Sequence, residues 1–326
     1  MYPKKSICLL VTALLLVLCG CGTARTEEAE TAASARQHAD TAPFTAPLLF
    51  RKTEPELPPA QVPDFPVAEF HEDQAQEAAG VKLDLSALEE GYVAVSALSD
   101  HRLKFQVIMG EATYNYDLAS DGTPSIFPLQ SGDGEYRFRV MENVVDSKYA
   151  ELYSTVCKVK LEDAFQPFLR NSDYVPYDRE SACVQTAAQI TQNEGATLKA
   201  VSAIFDFVCS HVKYDKQKAA TVQSGYLPDP DETLQTGKGI CFDYAALAAA
   251  MLRSQGIPTK MIFGYVSPDG LYHAWNMFYT EETGWVTVSY EVKADSWNRL
   301  DLTFSANGAD STFIGDGSNY TDLYFY

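Results

Sequence analysis

Between residues 81 and 165 apolar and polar positions alternate. In Leu103-Lys104-Phe105-Gln106-Val107-Ile108-Met109 the odd positions are apolar, with Lys104 and Gln106 between them. Tyr136-Arg137-Phe138-Arg139-Val140 alternates more cleanly and puts both arginines on the wet face. Tyr153, Thr155, Cys157, Val159 and Leu161 form a third set of period two. A period of two is the mark of strands with one buried face. Ser99-Asp100, Ser120-Asp121-Gly122 and Ser131-Gly132-Asp133-Gly134 supply turn residues between the runs. The stretch predicts a small antiparallel β-sandwich of roughly six or seven strands.

From about residue 166 the period lengthens. Ala182 to Ile190 predicts one helix. Thr197 to Val212 predicts a second, with Val201, Ile204, Phe205, Val208 and Val212 on one side. Tyr226 to Asp231 reads as a loop. A third helix follows in GICFDYAALAAAMLRSQGIP, residues 239–258, where Tyr244, Leu247, Ala248, Met251 and Leu252 recur at three and four and the alanines permit close packing. Gly256 is placed to cap it in the left-handed region, and Pro258 prevents its resumption. Thr259–Val266, His273–Tyr279 and Trp285–Val288 predict strands, with a hairpin turn at Pro268-Asp269-Gly270. Helices followed by antiparallel strands give an α+β order, not βαβ.

The residues before the sandwich read differently. Lys4 and Lys5 precede an apolar run from Ile7 to Leu18, too short to span a bilayer and suited to a signal peptide. Leu18-Cys19-Gly20-Cys21 then resembles the lipobox of bacterial lipoproteins. That resemblance implies cleavage after Gly20, acylation of Cys21 and tethering to the outer face of the cytoplasmic membrane. Residues 22 to about 68 are rich in Ala, Thr, Glu and Pro, and PELPPAQVPDFP alone holds five prolines. The expected organisation is a signal peptide at 1–20, a disordered spacer at 21–68, a β-sandwich at 69–165 and an α+β domain at 166–326. His38 and His71 lie in or beside the spacer and read as solvated.

The length of 326 residues and apolar fraction of 46% allow a real core, and the net charge of -19 disfavours nucleic acid as a partner. The cysteines after Cys21 are Cys157, Cys183, Cys209 and Cys241. None forms a CxxC pair or zinc-ligand spacing, so no metal or cofactor is implied. Cys157 and Cys209 read as buried thiols, and Cys183 is left open. Cys241 stands at a helix start, where unpaired N–H groups favour a thiolate and can hold an oxyanion. Gly237-Lys238-Gly239 just before it permits a sharp approach to a cleft. A nucleophilic cysteine also needs a base. His211, at a helix end, reads as a surface or capping residue. His273, on a strand, is the better base.

Gly239-Ile240-Cys241-Phe242-Asp243-Tyr244-Ala245, Gly256-Ile257-Pro258, Gly264-Tyr265-Val266 and His273-Ala274-Trp275-Asn276 together resemble the transglutaminase-like superfamily. The resemblance covers about residues 168–308 and implies a papain-related fold. It implies Cys241 as nucleophile, His273 as base and Asp301, in Asp301-Leu302-Thr303-Phe304, as the acid that orients the imidazole. The family has Asp-Pro-Thr and an aromatic there; here the Pro is Leu302 and Asp301 lies 28 residues past His273, farther than the family commonly shows, so Asp295 and Glu291 are rivals. Tyr214 is placed either to assist an oxyanion or simply to bond to backbone, and Trp275 either to wall the cleft or to fill the core. The implied activity is attack on amide or peptide bonds through a Cys241 thioester, with hydrolysis favoured over transamidation because water is abundant outside the cell. The implied substrates are peptides, proteins or cell-wall peptides. The alternative is a non-catalytic surface protein that keeps the scaffold.

Overall fold

The alternating runs of the front half do form strands. The computed structural model describes residues 60–195, 197–266, 271–288, 292–293, 296–297 and 320–326, all within one compact unit. Eight strands precede the first α-helix: β1 (Gln76–Ala78), β2 (Val81–Asp84), β3 (Tyr92–Ala97), β4 (Leu103–Met109), β5 (Ala112–Leu118), β6 (Ser125–Pro128), β7 (Gly134–Val145) and β8 (Lys148–Val159). They make two antiparallel four-stranded sheets, ordered β1-β2-β3-β6 and β5-β4-β7-β8. In β4, Leu103, Phe105 and Val107 are buried while Lys104 and Gln106 are half-exposed, as the alternation requires. Aromatic rings join the sheets: Phe127 of β6 lies 5.0 Å from Phe105 of β4 and 4.3 Å from Tyr116 of β5.

Several readings change here. Cys157 and Cys209 are only half-buried, Cys157 because β8 is an edge strand with a single neighbour. Residues 60–68, expected as the end of the spacer, lie against the body instead. Phe65 and Ala68 are buried, the Phe65 ring sits 5.7 Å from that of Tyr177, and Asn171 Oδ1 accepts from Ala68 N–H at 2.6 Å. Prolines bar this stretch from helix and ladder but not from docking through an aromatic side chain. His71 likewise is held, its Nδ1 3.1 Å from the buried carboxylate of Asp84.

The rear half contains α1 (Ala182–Thr191), α2 (Thr197–His211), β9 (Lys213–Tyr214), α3 (Lys216–Thr221), α4 (Pro230–Thr236), β10 (Lys238–Gly239), α5 (Cys241–Arg253), β11 (Thr259–Val266), β12 (Leu271–Thr280), β13 (Gly284–Val288), β14 (Val292–Lys293), β15 (Ser296–Trp297) and β16 (Tyr320–Phe325). A third antiparallel sheet runs β13-β12-β11-β16. The architecture is therefore α+β, a helix-and-sheet core preceded by β-rich structure. The helix α4 replaces the second part of the expected loop. Asp229 caps it by accepting from the N–H groups of Asp231 and Glu232, with Pro230 in the first turn. Asp231 in turn caps α1, accepting from Ala182 N–H and Cys183 N–H at 2.8 Å each.

The central helix α5 is buried on all sides from Asp243 to Arg253, so its apolar and alanine positions serve neighbours all round. It ends as expected: Gly256 is left-handed at φ 73° and Ile257 N–H returns to Leu252 O at 3.1 Å. A single core runs through both halves, joining Phe105 and Phe138 to Ile204, Leu247 and Phe278.

Candidate active site

Three local features fix where Cys241 stands. The parallel pair β9–β10 straps Tyr214 beside Gly239, with Asp215 N–H donating to Gly239 O at 2.9 Å. A Cβ on Gly239 would lie 2.6 Å from Asp243 Cβ, so only glycine lets the chain pass this closely before the helix begins. Asp243 then caps α5, its Oδ2 accepting from Ile240 N–H at 2.7 Å. Cys241 follows as the first residue of α5.

His273 stands on β12 opposite Gly264 of β11 and is buried. Asn276, farther along β12, donates from Nδ2 to Ala245 O at 3.0 Å, which ties the strand to α5 one turn beyond Cys241. Cys241 and His273 consequently line one cleft of about 430 Å³. The main-chain N–H of Ala274, the residue after His273, favours the charged form of the Cys241 thiol.

Burial pushes the Cys241 thiol above its ordinary pKa. The N–H groups of Ala274, Phe242 and Cys241 itself pull it down, and the Asp243 carboxylate pushes it up. The helix start does favour the thiolate as the sequence implies, but in this arrangement desolvation outweighs it. Tyr214 lies close enough to Cys241 for the two charges to interact. Its phenol is raised first by burial and then by that neighbour. Trp275 is wholly buried, its ring 6.3 Å from the His273 ring, and neither it nor Tyr214 is among the cleft-lining side chains. Asp301, Asp295, Glu291 and Cys21 lie outside the described residues. His211 caps a helix end on the surface, with Nε2 2.6 Å from Leu234 O. Among the described residues Cys157, Cys183, Cys209 and Cys241 form no disulfide, and burial holds the Cys183 thiol far above its ordinary range.

The sequence did not reveal the opposite wall. Asp117 and Phe127 reach the cleft from the β-rich front half, Asp173 and Tyr174 from the segment between β8 and α1, and Tyr326 from just past β16. Tyr174 and Tyr326 stack at 4.5 Å with their planes 4° apart. The carboxylates facing the cleft are Asp117 and Asp173, and among the described lining residues none is lysine or arginine. Asp117 pairs outside with Lys104 at 2.6 Å, and Asp173 Oδ1 accepts from Ile126 N–H at 2.8 Å. The nearer rim is Val222–Leu227, which runs into the start of the expected loop at Tyr226. Among the described residues no group of three His, Cys, Asp or Glu side chains is arranged to hold a metal ion.

Comparison with known proteins places this geometry. Residues 184–290 match the model of the transglutaminase-like superfamily, a segment that contains Cys241 and His273 and ends before Glu291. Kyphoscoliosis peptidase of Mus musculus is 26% identical over 156 residues, 45% of this chain and 22% of that protein. Protein-glutamine gamma-glutamyltransferase of Pseudomonas aeruginosa is 34% identical over 101 residues, 26% of this chain and 15% of its own. The chain thus spans under a quarter of either relative. Among solved structures, Legionella pneumophila LapG aligns with a TM-score of 0.32 and 13% identity, covering 44% of this chain and 74% of that one. The part of the chain around the Cys241–His273 cleft has a transglutaminase-like, papain-related fold.

Proposed function

We propose that the protein is a thiol enzyme that breaks amide or peptide bonds through a Cys241 thioester. The observation that carries this reading is the convergence of Cys241, His273 and the Ala274 N–H on one cleft. His273 takes the proton of the Cys241 thiol. The thiolate attacks the amide carbonyl, and the N–H groups at the start of α5 stabilise the oxyanion. His273 returns the proton to the leaving amine, the C–N bond breaks, and an acyl-thioester remains. Water adds to the thioester, releases the acid and restores the thiol. An amine in place of water would give transamidation. Asp301 is proposed to hold the imidazole tautomer, and Tyr214 to assist the oxyanion.

Acidic side chains on an aromatic-lined cleft favour a cationic partner. The Asp117–Asp173 wall therefore supports a peptide that carries a lysine, an arginine or another protonated amine. Cys21 is proposed as the lipid anchor, placing the enzyme outside the cytoplasmic membrane. A Cys21→Ala chain should then leave the membrane fraction.

One observation favours the non-catalytic alternative: burial raises the Cys241 thiol rather than activating it. Iodoacetamide labelling, followed at Cys241 by peptide mapping, separates the two readings. An enzyme predicts labelling at neutral pH faster than that of a free thiol, and slower in His273→Ala. Labelling at the free-thiol rate, unchanged by His273→Ala, would leave a scaffold without turnover.

A further inference from the structure

Asp243 is wholly buried two residues beyond Cys241. A carboxylate taken out of water costs several kcal/mol unless it is paired and hydrogen-bonded. Here it is both. Oδ2 accepts from Ile240 N–H and lies 2.8 Å from the Lys218 ammonium. Oδ1 accepts from the Tyr226 hydroxyl at 2.5 Å. Lys218 also donates to the Tyr226 hydroxyl at 2.7 Å, and its ammonium stands 4.5 Å from the centre of the Tyr226 ring. The Tyr226 phenol is pushed far up by burial and by Asp243, so it remains a donor.

This network has two consequences at the cleft. Tyr226 is part of the rim, so the network fixes the rim to the first turn of α5. The second is electrostatic. A negative charge this close disfavours a thiolate at Cys241, and the Lys218 ammonium opposes that charge. The other titratable groups near the thiol are Tyr214 of β9 and Tyr272 and His273 of β12. Both phenols are raised, first by burial, and carry no charge near neutrality. Asp117 of β5 and Asp173 line the same cleft from its facing wall, so the described groups here that can carry charge are His273, Asp243, Lys218, Asp117 and Asp173.

We propose that Lys218 is a positioning residue: it neutralises Asp243 behind the reactive thiol, so that the carboxylate can cap the Cys241 helix without suppressing the thiolate, and it anchors the Tyr226 rim of the cleft. This rests on Cys241 as the nucleophile. Lys218 and Tyr226 lie in the short stretch between α2 and α4, outside the motifs quoted around Cys241 and His273.

The test is the pH profile of iodoacetamide alkylation at Cys241 in the full chain, from about pH 6 to about pH 10. Lys218→Met should move the midpoint upward and slow labelling at neutral pH about tenfold. Lys218→Arg should restore the profile. Lys218→Met with Asp243→Asn should bring the midpoint back to the wild-type value or below. A folded Lys218→Met chain with an unchanged midpoint overturns the proposal, as does a double variant shifted as far as Lys218→Met alone. If Lys218→Met does not fold, Asp243→Asn decides. Its remaining ammonium should lower the midpoint, and an unchanged or raised midpoint counts against the role. A wild-type thiol of ordinary reactivity would overturn the enzyme reading alone, since the midpoint shifts are still read on any titrating thiol.

Discussion

Arg253 Nη2 donates to the main-chain oxygen of Tyr326 at 2.9 Å, and this bond links the end of the central helix to the residue whose ring walls the cleft. The same guanidinium donates from Nε to Thr259 O at 2.9 Å and from Nη1 to Arg170 O at 2.7 Å. Three distant segments meet on one buried side chain. Burial lowers its pKa to about 10, so it stays charged near neutrality.

Arg253→Met should therefore be severely destabilising. The Thr259 and Arg170 carbonyls lose this donor at about 1–3 kcal/mol each, while Tyr326 O keeps Met261 N–H at 2.8 Å, so a net loss of about 2 kcal/mol or more is expected. Arg253→Lys should recover part of it. The urea midpoint measures both, and a Met variant as stable as wild type would show that the three bonds do not matter.

Asp84 sets an acid limit on stability. Burial pushes its carboxyl up, but hydrogen bonds from Ser86 Oγ at 2.6 Å, Ser86 N–H at 2.9 Å and His71 N–H at 2.8 Å outweigh it and hold the folded pKa below the ordinary value. A depressed carboxyl pKa contributes stability that is complete above the unfolded value of about 3.9 and is lost as pH falls through the folded value. The wild-type urea midpoint should fall across that acid window, and Asp84→Asn should show a shallower fall from a lower plateau. Parallel curves would mean that Asp84 is not linked to folding.

The acidic wall predicts a preference among alkylating probes. A chloroacetamide bearing an ammonium group should label Cys241 about tenfold faster than its neutral isostere, relative to free cysteine. Asp173→Asn should reduce this ratio while keeping an acceptor for Ile126 N–H. Burial raises the Asp173 carboxyl, so the preference should fade on acidification sooner than an ordinary carboxyl would allow. A ratio untouched by Asp173→Asn would assign the preference to the chain's overall negative charge.

The orienting acid can be assigned by substitution. Asp301→Asn should abolish the His273-dependent part of Cys241 reactivity, while Asp295→Asn and Glu291→Gln leave it in place. If either rival abolishes it and Asp301→Asn does not, the role passes to that residue.

The local rules in the sequence were enough to place the elements that frame the site. Alternation placed β4 and β7, helical spacing placed α1, α2 and α5, and Gly256-Ile257-Pro258 ended α5 where the chain does turn. Cys241 at a helix start and His273 on a strand were legible for the same reason: each needs only its neighbours in sequence. The helix α4 was missed because Pro228-Asp229-Pro230-Asp231 reads as loop, although Asp229 at the cap and Pro230 in the first turn are the residues that start such a helix.

What the tertiary structure decided depends on contacts between residues far apart in the chain. Asp173 precedes Cys241 by 68 positions and Tyr326 follows it by 85, yet all three line one cleft, and no periodicity links them. No pattern in the sequence pairs Asp243 with Lys218 and Tyr226; the fold brings them together. The thiol's pKa also depends on the fold, because desolvation comes from what packs around a group and not from its place in a helix. Sequence alone singled out Cys241 and His273 as candidates; the packing of the β-rich front half, the segment before α1 and the strand ending at Tyr326 around the helix decided the walls and the charge of the cleft they line.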